Sequence, residues 1–102
     1  EHTGEVKSYV LEIANAFKEH SAEIDALIQK FAHGWDIDRL VKIDKDILRI
    51  AIAELMFIQS APVKVVVDEA LELAKKYSTD DSSSFINGIL GKVIDEKKRE
   101  NA

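Results

Sequence analysis

Apolar residues recur every third or fourth position along nearly the whole chain, a spacing that favours helices packed against one another. Val6, Tyr9, Val10, Ile13 and Phe17 follow the i, i+3, i+4, i+7 rule, with Lys7, Glu12 and Lys18 on the opposite face. Thr3 and Gly4 are candidate starts. The pattern fades at Glu19, His20 and Ser21. Ser21 reads as the N-cap of a second helix carrying Ile24, Leu27, Ile28 and Phe31, which Gly34 ends. Trp35 to Leu40 reads as a connector of about one helical turn. Asp44 is placed to cap a third helix, in which only Arg49 and Glu54 are polar between Ile47 and Ile58. A helix apolar on nearly every side belongs at the centre of a bundle.

Ser60, Ala61 and Pro62 break that helix, and Pro62 suits the first turn of the next. Val63 to Val67 has the look of a strand. However, Val63, Val66, Val67, Ala70, Leu71, Ala74 and Tyr77 hold one helical face, with Glu72 and Lys76 as an outer i, i+4 pair. β-branched residues cost a helix only a few tenths of a kcal/mol each, which packing overrides. Ser78 to Ser84 reads as a polar turn with Asp80 and Asp81 as candidate caps. A last helix carries Phe85, Ile86, Ile89, Leu90, Val93 and Ile94, with Lys97, Lys98 and Arg99 favouring its C-terminal dipole. The expectation is an all-α bundle of about five main helices, one domain over residues 1–102.

Composition narrows the function. The chain has 102 residues and no cysteine, which excludes a disulfide framework, thiolate metal sites and thiol catalysis, and suits the cytoplasm. No apolar run approaches the roughly 20 residues of a membrane span. With 14 Lys and Arg against 19 Asp and Glu, the net charge is −5. Stand-alone nucleic-acid binders are usually basic, so RNA or DNA would be reached through a local patch or a partner.

Most polar residues have a structural reading. His2, His20 and His33 lack metal-ligand spacing, and Ser82, Ser83 and Ser84 lack the surroundings of a nucleophile. Asp36, Asp38, Asp44 and Asp46 do not match a calcium loop and read as caps and solvated faces. No catalytic residue, metal site or cofactor is expected. Arg49 and Glu54 read as ion-pairing with neighbouring helices, or as part of a protein-binding face. Gly88 and Gly91 each cost about 1 kcal/mol against alanine in a helix. Close helix packing would account for them, with close approach of a ligand as the alternative. Phe85, at the start of the last helix, is either a core aromatic or a platform for a flipped-out RNA base. Periodicity does not choose.

Taken together, Trp35, Arg39, Leu40, Ile43, Asp44, Ile47 to Ala51, Glu54 and Leu55 form one recognisable segment. Pro62, Lys64, Val65, Glu69, Ala70, Glu72 to Lys75 and Tyr77 form a second; Asp81, Ser82 and Phe85 to Leu90 form a third. In this order and with these gaps, roughly residues 5 to 95 resemble the NusB family of bacterial transcription antitermination factors. The resemblance implies an all-helical, non-catalytic RNA-binding protein. It would pair with NusE, a small-subunit ribosomal protein, on the boxA element of nascent RNA, and join the antitermination complex on RNA polymerase in ribosomal RNA operons. Carried over by position, Asp81, Ser82 and Phe85 match the family's RNA-facing edge, with Phe85 stacking on a base. Asp38 and Asp44 match the side facing NusE and RNA, where carboxylates suit a basic partner.

The front departs from the family, whose members usually begin with an arginine-rich helix and a second helix before the one at Val6 to Phe17. Glu1 in place of methionine also suggests a chain that is processed or lacks its natural beginning. The expected consequence is an uncovered apolar face, filled by self-association or left loose. Two rivals stand beside this reading: the NusB-like RNA-binding domain of a ribosomal RNA cytosine methyltransferase, and a helical protein–protein adaptor without an RNA role.

Overall fold

The structure is a computed structural model that describes residues 2–32, 37–59 and 61–101. Among them are four α-helices: α1 (His2–Phe31), α2 (Lys42–Ala53), α3 (Val63–Tyr77) and α4 (Asp80–Asn101). A 3₁₀ turn, Ile37–Arg39, leads into α2, and a π-helical turn, Glu54–Ile58, ends it. The all-α expectation holds. Residues 33 to 36 lie outside the described residues, and with them the expected stop at Gly34, His33, Asp36 and the Trp35 start of the connector. Ser60 and the side chains of His2, Val6 and Arg39 do so too.

The expected first two helices are one, and this corrects the count. Ser21 lies inside α1, one residue past the kink at which two helical segments join. The change of direction falls on a single residue, His20 (φ −118°, ψ 19°). Its ring stacks on Phe57 at 3.8 Å and 4° between planes, with the Glu23 carboxylate 3.4 Å from Nδ1. Beyond the kink, Ile24, Ile28 and Ala32 are fully enclosed; before it, Tyr9, Val10 and Leu11 are exposed. The apolar stripe at the front of α1 therefore covers less core than its periodicity suggests.

The middle helix is central, as its composition requires. α2 packs on α1, α3 and α4, and Leu48 and Ile52 are wholly buried against Ile86, Leu90 and Val93 of the core. Val63 to Val67 is helical. The apolar face of α3 is narrower than expected, since Val63 and Tyr77 are exposed while Val66, Ala70 and Ala74 are buried. Glu72 and Lys76 make no ion pair; Lys64 and Asp68 do, at 2.8 Å.

Arg49 of α2 and Glu54 of the π turn both find partners on α1. Arg49 donates two hydrogen bonds of 2.9 Å to the Asp25 carboxylate, and its guanidinium lies 5.2 Å from the centroid of the Phe17 ring. Glu54, 7% exposed, accepts a hydrogen bond from the Tyr9 hydroxyl. Desolvation first, then that bond and the negative charge, raises the Tyr9 phenol above its ordinary range. The π turn after Ala53 closes with the Gln59 N–H donating to Glu54 O at 2.8 Å, and Gln59 adopts a left-handed conformation (φ 55°). Lys97 Nζ caps the Leu55 carbonyl at 2.7 Å. α2 is thus held at its far end by backbone geometry and a lysine of α4.

Tyr9→Phe should leave the buried Glu54 carboxylate one donor short and lower the unfolding free energy by about 1–3 kcal/mol. Urea denaturation measures this, with Tyr77→Phe, on an exposed ring, expected to be silent.

Candidate nucleic-acid and partner interface

The near end of α2 meets the start of α4. Val41 occupies the N-cap position of α2 and provides no side-chain cap, so Asp44 is not the cap it was expected to be. It sits within the first turn and is only 6% exposed. A carboxylate there is favoured by the helix dipole, but burial demands hydrogen-bond donors as well. One comes from α4: Ser82 Oγ donates to Asp44 Oδ2 at 2.7 Å. The other oxygen, Oδ1, is buried without a partner.

Ser82 is itself fixed by the turn before α4. Thr79 caps that helix, with its Oγ1 accepting from the Ser82 N–H at 3.0 Å and its carbonyl from the Ser83 N–H at 3.1 Å. The hydroxyls of Ser78 and Thr79 both lie 3.0 Å from Ser82 Oγ. The cap expected of Asp80 or Asp81 is therefore made one residue earlier. Both aspartates lie exposed in the first turn of α4, where negative charge opposes the positive end of the dipole. Ser82, Ser83 and Ser84 belong to the helix and not to a loop.

These residues border an open cleft of about 420 Å³. Leu40, Val41 and half-buried Phe85 supply apolar wall; Asp44, Ser78, Thr79, Asp81 and Ser82 supply polar groups. Of the residues singled out from the sequence, Asp44, Asp81, Ser82 and Phe85 thus share one site. Asp38 does not; it is exposed on the 3₁₀ turn and borders no part of the cleft. Missed from sequence were Ser78 and Thr79, whose signal was the hydroxyl run before a helical pattern, and the apolar wall of Leu40, read as the end of the connector, and Val41 beside it. The cleft offers hydroxyls, carboxylates and an aromatic ring. No group of His, Asp or Glu among the described residues could hold a metal ion.

The second face of Phe85 borders a smaller hollow of about 300 Å³ with Phe31, Ser84, Gly88 and Lys92. Close packing was the expected reason for Gly88 and Gly91. It is absent: a Cβ built at either would meet nothing within 4 Å.

Ser82→Ala should remove the remaining donor from buried Asp44 and cost about 1–3 kcal/mol in urea denaturation. Ser84→Ala, at an exposed neighbour in the same helix, should shift the midpoint little.

Comparison with known proteins supplies the lineage. The sequence model of the NusB family matches residues 1–95. A transcription antitermination protein NusB of Thermodesulfovibrio yellowstonii is 43% identical over 97 residues, covering 95% of this chain and 64% of its own. The solved structure of Thermotoga maritima NusB ("T. maritima NusB") superposes with a TM-score of 0.85 at 35% identity, over 96% of this chain and 71% of that one. A chain from the crystal structure of a plectonemic RNA supercoil superposes with a TM-score of 0.82 at 32% identity, over 88% of this chain and 65% of that one. The chain spans from 32% to 69% of the length of five curated relatives that it matches. With a family match over most of its residues and a fold shared with a solved member, the chain belongs to the NusB family.

Proposed function

We propose that this chain is a transcription antitermination factor of the cytoplasm, binding boxA RNA together with NusE and serving RNA polymerase in ribosomal RNA operons without catalysing a reaction. One observation carries the reading most directly. The Ser82–Asp44 hydrogen bond joins the expected RNA edge to the expected partner edge and leaves Asp44 Oδ1 facing its neighbours without a donor. A carboxylate bordering the cleft suits a basic protein partner. Phe85, on the wall of the same cleft, offers a ring for an unstacked base. The names of the relatives, and the likeness to a chain crystallised with RNA, support the same assignment. The uncovered front of α1, with exposed Tyr9, Val10 and Leu11, supports self-association in the absence of a covering partner.

Fluorescence anisotropy of labelled boxA RNA, with and without NusE and at two salt concentrations, tests the proposal. Binding that tightens with NusE, weakens with salt and fails on scrambled RNA is expected. Capture of NusE with no RNA binding would reduce the chain to a protein adaptor. Asp81→Asn should tighten RNA binding several-fold, because it removes a charge that repels phosphate while Thr79 keeps the cap. Unchanged or weaker binding would refute the repulsive role of Asp81.

A further inference from the structure

Gly88 is the least explained residue of α4. Glycine inside a helix is a standing cost, usually met where another backbone approaches too closely for a side chain. Here nothing among the described residues lies within 4 Å of its absent Cβ, so no described element requires it. Gly91 has the same open surroundings but takes no part in the hollow beside Phe85; Gly88 does. The space over Gly88 is the hollow itself, bordered by Phe31 at the end of α1 and by Ser84, Phe85 and Lys92 of α4.

Ser84, Gly88 and Lys92 are spaced four apart and so form one strip along the helix. Lys92 is exposed and makes no ion pair among the described residues, unlike Lys30 of α1, which pairs with Glu96. A strip of this kind offers aromatic surface at one end, bare backbone in the middle and a free ammonium roughly 10 Å further along the axis. Flat rings fit against bare backbone, and ammonium groups neutralise phosphate.

We infer that the hollow over Gly88 is a second nucleotide subsite, taking an unpaired base of single-stranded RNA against Phe31, Phe85 and the bare backbone, with Lys92 holding the neighbouring phosphate. This inference rests on the RNA-binding reading of the Phe85 cleft and extends it along α4. RNA is favoured over a peptide because the hollow shares Phe85 with that cleft and because its free charge is positive, opposite in sign to the Asp44 and Asp81 end.

The test compares Gly88→Ala, Gly91→Ala, Lys92→Met and Phe85→Ala with the parent chain by anisotropy on a labelled boxA single strand, with NusE present, across a salt series. Both glycine variants should melt higher by about 4–8 °C, so lost binding cannot be ascribed to unfolding. Gly88→Ala is expected to weaken RNA about tenfold with an unchanged salt slope, and Gly91→Ala to bind as the parent does. Lys92→Met should reduce the slope of log K against log salt by about 0.7, the share of one phosphate contact. If Phe85→Ala loses binding while Gly88→Ala and Lys92→Met bind as the parent does, the subsite is overturned and the cleft reading stands. A parent chain that binds boxA no better than its Phe85→Ala variant overturns both. Weakened capture of NusE by Gly88→Ala, with RNA binding intact, assigns the hollow to the protein partner and likewise overturns the subsite.

Discussion

Burial of α2 is the constraint from which the rest follows. A helix with Leu48, Ile52 and Ala53 wholly enclosed must be surrounded, and α1, α3 and α4 do the surrounding. Its polar side chains can only be kept by partners on the covering helices, which is why Arg49 meets Asp25 and Glu54 meets Tyr9. The ends of such a helix are the places where it can reach solvent or a ligand. One end is closed by the π turn and Lys97; the other carries Asp44. The location of the candidate site at the Asp44 end is therefore a product of the packing.

At that end, the chain leaves part of its hydrogen bonding unfinished. Of the three hydroxyls of Ser78, Thr79 and Ser82, the first two turn toward Ser82 and only Ser82 reaches the Asp44 carboxylate. The result is a fixed, half-satisfied acceptor beside an apolar cleft. A single buried oxygen without a donor is tolerable in a folded protein when its remaining environment is well built.

Helical periodicity made the fold class and the centrality of α2 legible, because both depend on residues a few positions apart. The strand-like run Val63 to Val67 was resolved the same way. What periodicity could not show was how far each apolar stripe is covered: Val10 and Tyr77 lie on good helical faces and are exposed because no described element packs over them. Caps were misplaced by short distances, since Asp44, Asp80 and Asp81 are all chemically able to cap and only the backbone angles decide. The site was legible as separate pieces through the family resemblance. Its central bond was not, because Ser82 and Asp44 lie 38 positions apart and nothing local links them. Gly88 was legible as an anomaly, and only the empty space around it tells packing from ligand approach.

The acidic balance of the chain fits this arrangement better than it first suggests. The cleft around Phe85 contains Asp44 and Asp81 and no Lys or Arg. Such a surface cannot hold a phosphate backbone by charge; it can hold a base by stacking and a basic protein by its carboxylates. In the proposed assembly the two requirements become one, because a cationic partner seated at Asp44 converts an acidic rim into a neutral or positive one before the RNA arrives. The coupling is reciprocal by thermodynamic necessity: whatever NusE adds to RNA affinity, RNA adds to NusE affinity. A protein with net charge −5 then gains selectivity from its own repulsion, since RNA alone meets an unfavourable field and RNA with its partner does not.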